Sequence, residues 1–258
     1  MIQNSILEKF LRYLEVEEKA PSLEYLNELV EAHQTKVKWE TLTKFIDFEE
    51  GEEEHFYLPS IDSYVNRVVD QGVGGTCWTV AKGFHFLLHT LGFNVEYLYM
   101  DPGHLCLQVM LDQPYYVDVG YCAPLYKAYP LHQSFTVENE AEVFSYEVRE
   151  NDILVARDPG PTKVLGKKTV TWDEMIPHIL QSHDWQDGFA LRTLKVFGYI
   201  DGRPCQLKGN TLIRFEDKQR LEQELTEAEF RYWMEKKFGV DYSLYEKAKE
   251  IYRRRKGE

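Results

Sequence analysis

A cysteine becomes a nucleophile once it is a thiolate, a histidine can take its proton, and a carboxylate can hold that imidazole in place. This chain offers the three in order. Cys77 lies in "QGVGGTCWTVAKGFHFLLHTLGF", His104 opens "HLCLQVML", and Asp118 interrupts the apolar run "YYVDVG". Their residue types suit covalent acyl chemistry. Whether they meet depends on the elements that carry them.

Val80, Phe84, Leu87, Leu88 and Leu91 follow Cys77 at helical spacing, and Gly92 suits the helix stop. Thr76 is positioned as an N-cap, which puts Cys77 at or next to the first helical residue. There the unsatisfied N–H groups and the positive end of the helix dipole favour thiolate over thiol. Gly74 and Gly75 permit a positive φ and close approach of a ligand or another backbone. The alternative is a small apolar residue packed under a loop, the usual fate of a free cysteine.

The eight histidines are His33, His55, His85, His89, His104, His132, His178 and His183. His85 and His89 share a helix face, but "HFLLH" lacks the glutamate of the zinc-protease helix, so no metal is expected. His104 follows Asp101-Pro102-Gly103 and starts a strand, where its ring can face a cleft. Asp118 needs a partner, because a bare carboxylate in an apolar strand costs several kcal/mol; a turn or edge position is its other reading. A plain hairpin turning at Asp112-Gln113 sets Asp118 opposite about Leu107, three residues from His104. Contact then requires strong twist, a bulge or slanted side chains.

The elements fall into three regions. Residues 1–92 read mainly as helix: "SILEKFLRYL", "SLEYLNELVEAH", a segment near Ile61–Val69, and the stretch after Cys77. Residues 93–170 read as short strands, "NVEYLYM", "HLCLQVML", "YYVDVGY", "VFSYEVRE" and "ILVARD". Residues 171–258 are mixed. "WDEMIPHILQSH" is helical around Pro177, Asp201-Gly202 marks a hairpin, and Thr226 with Glu229 forms a capping box closed by Gly239.

A chain of 258 residues can bury a sizeable core, and 43% apolar content fits a globular protein. No apolar run approaches the ~20 residues of a membrane span, and the acidic start lacks signal-peptide character. The net charge of −13 disfavours nucleic acid as a partner; the one dense basic run, Arg253 to Lys256, suits a solvated helix end. Cys77, Cys106, Cys122 and Cys205 show no metal or scaffold spacing, which points to free thiols in a reducing cytoplasm.

These segments together resemble the arylamine N-acetyltransferases, cysteine acyltransferases with a papain-like Cys-His-Asp core. That family's signature is Arg-Gly-Gly-x-Cys-x-Glu-x-Asn, a His-led apolar strand, then Val-Asp-Val-Gly-Phe-Gly and Pro-Leu. "VGGTCWTVA", "HLCLQV" and "VDVGYCAPL" occur here in that order, "VKWETL" (Val37 to Leu42) is similar to an upstream Pro-Phe-Glu-Asn-Leu element, and "LTEAEFRYWMEKKFGV" to the C-terminal helix. The resemblance implies an α+β fold with an N-terminal helical bundle (1–92), a central β-barrel (93–170) and a C-terminal α/β lid (171–258). It maps nucleophile, base and orienter onto Cys77, His104 and Asp118, and substrate contacts onto Gly74, Gly75, Thr76, Gly120 and Tyr121. It implies acetyl-CoA as co-substrate, a small-molecule amine as acceptor, and no bound cofactor or metal.

The departures are specific. Val73 replaces the signature arginine, and Thr79 and Ala81 replace its glutamate and asparagine; losing Arg and Glu together avoids a stranded buried charge. Cys122 replaces a glycine near the implied donor entrance. The interval from Cys77 to His104 is 27 positions, short for the family, which removes a loop beside the acceptor site. Weak activity on simple arylamines is therefore expected, with some other amine or acyl donor preferred. Amide synthesis or hydrolysis on the same three residues, or a non-catalytic binding role, are the alternatives.

Overall fold

Local side chains set most of the helix starts in the computed structural model, which describes residues 2–51, 57–186 and 188–257; His55 lies outside them. The first third holds α1 (Ile2–Leu14), α2 (Leu23–Lys36), the two-residue β1 (Trp39–Glu40), α3 (Leu42–Gly51), α4 (Ile61–Gln71) and α5 (Cys77–Thr90). Ser22 and Ser60 cap α2 and α4 by accepting the N–H groups of Tyr25 and Ser63. The sequence reading missed α3. Its start is held by a glutamate rather than a usual cap: Glu40 Oε2 accepts the Thr43 N–H at 2.9 Å and Oε1 accepts the Thr43 hydroxyl at 2.6 Å.

Eight antiparallel strands follow: β2 (Asn94–Asp101), β3 (His104–Met110), β4 (Pro114–Val117), β5 (Tyr129–Pro130), β6 (Phe135–Glu138), β7 (Val143–Val148), β8 (Ile153–Asp158) and β9 (Thr162–Val170). They form one sheet in the order β5-β4-β3-β2-β9-β8-β7-β6. The sheet curls into a half-barrel around Leu98, Met100, Tyr116, Phe144, Tyr146 and Leu165. Its two ends approach closely enough for Tyr129 of β5 and Phe135 of β6 to stack at 3.9 Å. β9 was not anticipated, because "TKVLGKKTV" carries three lysines and buries only Leu165.

After α6 (Trp172–Ser182), which contains Pro177 and starts with a Thr171–Glu174 capping box, the chain forms β10 (Lys195–Ile200), β11 (Arg203–Lys208), β12 (Thr211–Glu216) and β13 (Gln219–Glu224). The hairpin at Asp201-Gly202 is present, both residues having positive φ as a two-residue turn requires. β13 is exposed throughout, a charged edge strand that sequence hydropathy does not register. The Thr226–Glu229 box opens α7 (Glu227–Tyr232), and α8 (Tyr242–Lys256) ends the chain. Its basic end is more than solvated: Arg254 and Arg255 both pair with Glu49 of α3.

The helical first third divides between two cores. α1, α2, α4 and α5 pack against one face of β3 and β4 through Leu107, Val109 and Val117. β1 and α3 go elsewhere. β1 pairs with β10, and Leu42, Phe45, Ile46 and Phe48 pack with the C-terminal sheet, α7 and α8.

Candidate active site

Cys77 is the first residue of α5. Thr76 occupies the N-cap position with extended backbone, but its hydroxyl makes no capping bond; its carbonyl accepts the N–H groups of Thr79 and Val80 at 3.0 Å each. The preceding loop is pinned from the side. Gly74 N–H donates to the Lys38 carbonyl at 3.0 Å, and Glu40 N–H donates to the Gly75 carbonyl at 3.1 Å. Gly75 sits at φ +92, which other residues rarely adopt.

His104 is the first residue of β3 and Asp118 lies just past β4. Leu107 pairs with Val117, so the register places Asp118 opposite Cys106, one residue from the position expected. The cause is the turn: Met110 pairs with Pro114, leaving the three residues Leu111–Gln113 in the loop. That single step decides the site. Directly opposed residues share a face and so do residues two apart on a strand. Asp118 and His104 are therefore diagonal neighbours on one face, where the expected register would have set them on opposite faces. No bulge is required.

The His104 Nε2 to Asp118 Oδ2 distance is 2.8 Å. Asp118 Oδ2 also accepts the Tyr116 hydroxyl at 2.7 Å, and Oδ1 accepts the Gly120 N–H at 2.8 Å. The carboxylate is thus oriented at both oxygens. The Tyr121 ring lies flat on the imidazole at 3.7 Å. Behind it stands Arg157, 4.6 Å from the Tyr121 ring and held by Glu142 through bonds of 2.7 and 2.9 Å. Gln34 of α2 donates to the carbonyls of Tyr121 and Ala123, fixing the loop between them. Gly120 fills the remaining gap: a Cβ there would lie 2.9 Å from Cys77 Cβ and 3.1 Å from His104 Cε1. Only a residue without a side chain lets these two groups close on each other.

Their electrostatics are coupled. Burial favours the neutral thiol of Cys77, but the His104 hydrogen bond, the charges of His104 and Lys44, and the Leu105 N–H outweigh it and lower the pKa. Burial also disfavours a charged His104, yet Asp118 and the Cys77 thiolate raise it to about 9. Both shifts favour a thiolate–imidazolium pair near neutral pH. The other cysteines move the opposite way. Burial lifts Cys106 and Cys122 well above the usual range and Cys205 to about 11. All four are free thiols.

The structure therefore brings Cys77, His104 and Asp118 together, with Gly74, Gly75, Thr76, Gly120 and Tyr121 around them. His85 and His89 lie apart, stacked on one another, with His85 also on Tyr97; among the described residues no His, Cys, Asp and Glu group could hold a metal ion. Sequence reasoning missed Tyr116, although its position two residues before Asp118 on one strand was a usable signal. Gln34, Arg157, Glu142 and Lys44 gave none, since each reaches the site across a long sequence separation. Of the substituted positions, Val73 and Ala81 are buried in apolar clusters, and Thr79 lies beneath Gly75.

A family model described as N-acetyltransferase matches residues 22–246. The chain belongs to the arylamine N-acetyltransferase family. Solved structures of that family share its fold at low identity. The arylamine N-acetyltransferase from Mycobacterium abscessus aligns with a TM-score of 0.78 and 16% identity, covering 96% of this chain and 94% of that one. The Mycobacterium marinum enzyme in complex with CoA gives 0.74 and 17%, covering 92% and 93%. A Bacillus cereus arylamine N-acetyltransferase, described as having a Cys-His-Glu catalytic triad, gives 0.74 and 14%, covering 91% and 98%. No curated protein matches the chain by sequence. Among the described residues, no helix is long and apolar enough to cross a membrane.

Proposed function

We propose that this protein transfers an acetyl or related acyl group from a CoA thioester to an amine through an acyl-enzyme on Cys77. The observation that carries this reading is His104, set between the thiol and a carboxylate that is itself held by Tyr116 and Gly120. In the first half-reaction the Cys77 thiolate attacks the thioester carbonyl carbon. The bond to the CoA sulfur breaks and His104 returns its proton to the leaving thiolate. In the second, an amine attacks the acyl-cysteine, His104 takes the ammonium proton, and the Cys77 thiolate leaves. Asp118 keeps the imidazole oriented, and backbone N–H groups around Cys77 would stabilise the tetrahedral oxyanion.

Acetyl-CoA as donor is supported by family membership and by the CoA complex of the Mycobacterium marinum relative. The C-terminal segment 171–258 serves as the lid over the site, and the 1–92 and 93–170 segments supply the nucleophile and its partners. Simple anilines and hydrazines are weak acceptors, with another amine or another acyl donor preferred, because the β2–β3 turn beside Cys77 is short and Cys122 adds bulk after Tyr121. The test is intact-protein mass spectrometry after incubation with acetyl-CoA. One acetyl group on Cys77, absent in Cys77→Ser, is the expected result. An unmodified wild-type protein that still alkylates rapidly at Cys77 would favour amide synthesis or hydrolysis instead, and an inert Cys77 a binding role.

A further inference from the structure

We propose that Lys44 is a positioning residue for the nucleophile: held against Ser182 and His183, its buried ammonium supplies positive charge that supports the Cys77 thiolate. This rests on Cys77 being the nucleophile.

A lysine is rarely buried without a carboxylate, because its ammonium is costly to desolvate. Lys44 is 3% exposed, and among the described residues no carboxylate lies within ion-pair distance. Its Nζ lies 3.1 Å from Ser182 Oγ and 3.2 Å from His183 Nε2. The ammonium lies 3.4 Å from His183 Nδ1 as well, so it rests against the face of the ring, whose Nδ1–H donates to the Ile179 carbonyl at 2.8 Å. The ring is stacked on Tyr57, and burial with the nearby Lys44 charge lowers its pKa to about 3, so it is neutral.

Two features tie this group to the thiol. Strand β1, just before α3, is hydrogen-bonded to the Gly74–Gly75 loop that leads into Cys77. Ile179, whose carbonyl fixes His183, belongs to the apolar cluster of Trp78, Ala81, Leu105 and Met175 against which Cys77 packs. The end of α6 thus packs beside the start of α5, and the strand leading into α3 is hydrogen-bonded to the loop leading into α5. Among the described residues, the charged and titratable groups facing Lys44 from these elements are Asp47, His183 and Cys77. Asp47, one turn along α3, is committed to Arg67 of α4 at 2.7 Å; His183 is neutral; Cys77 remains. Burial lowers Lys44 to about 7, and the attraction that most opposes this comes from the Cys77 thiolate, ahead of Asp47. Coupling of this kind is reciprocal, so each charge supports the other.

The experiment is the pH dependence of Cys77 alkylation by iodoacetamide in the wild type, Lys44→Gln and Lys44→Arg, with thermal unfolding to check the fold. Lys44→Gln should raise the midpoint by about one pH unit, and Lys44→Arg should restore most of it. A folded Lys44→Gln with an unchanged midpoint, or a Lys44→Arg shifted equally, overturns the proposal. The reverse measurement needs no change at Lys44: in Cys77→Ser, the Lys44 ammonium followed by NMR should titrate at lower pH than in the wild type, and an unchanged titration also overturns it. Alkylation does not depend on acetyl-CoA. A Lys44 effect in a protein that never acetylates Cys77 would overturn the acyl-transfer reading and leave this one standing.

Discussion

His104 and His33 are almost equally buried, at 2% and 1% exposed, and their chemistry diverges. His33 projects from α2 with the Tyr64 hydroxyl of α4 at 3.1 Å and the rings of Phe10 and Phe84 around it. Among the described residues no charge faces it, and burial alone lowers its pKa to about 3. His104 meets the same penalty, but Asp118 and the Cys77 thiolate reverse it and raise the value to about 9. Burial by itself turns a histidine into a neutral packing residue. A carboxylate and a thiol on the same face turn it into a cation at neutral pH.

Removing the carboxylate should therefore make His104 behave like His33. Asp118→Asn is expected to slow Cys77 alkylation and any acyl transfer at pH 7 by a factor on the order of 10³, because the imidazolium loses its counter-charge and its orientation. The pH profile of alkylation should move upward at the same time. A variant that keeps both rate and midpoint would break the comparison.

Gly120→Ala tests the geometry rather than the charge. The added methyl meets both Cys77 and His104, so one of them must move by a few tenths of an ångström or more. A loss of about 10- to 100-fold in alkylation rate is expected, with cooperative unfolding retained. The corresponding steady-state measurement should show the loss mainly in kcat.

The smallest effect concerns stability at His33. Its pKa is lower folded than unfolded, so the unfolded chain binds more protons between about 6.5 and 3, and stability present above 6.5 is lost as pH falls through that window. His104 has the opposite sign: its contribution is present below 6.5 and lost as pH rises through about 9. His33→Gln, which preserves a partner for Tyr64, should lose about 2 kcal/mol less than the wild type between pH 7 and pH 5. Denaturant titrations at the two pH values measure it, and parallel losses would show that His33 is not neutral in the folded state. Its alkylation profile at Cys77 should match that of the wild type.

Much of the site was legible because its signals are local. A Gly-Gly-Thr-Cys run followed by helical spacing places Cys77 at a helix start, and an aspartate in an apolar strand demands a partner. The His104–Asp118 contact was legible only through the family resemblance and not through strand spacing, because a hairpin loop of three residues rather than two shifts the register by one and exchanges the faces. α3 was hidden by its glutamate cap, and β9 and β13 by their lysines, glutamates and glutamines. Lys44 and His183 lie 139 positions apart, and no local pattern joins residues so distant.

The division of the early helices between two cores also bears on how the chain acquires its structure. Thr41 donates its hydroxyl proton to the Thr193 carbonyl across 152 positions, and Arg254 reaches Glu49 across 205. During synthesis, Phe45 and Phe48 must wait, uncovered, until nearly the last residues have emerged. Contacts of such range make for slow folding and a prolonged exposure of apolar surface. A chain that stops before Tyr242 should be a substrate for chaperones and proteases rather than a smaller working enzyme.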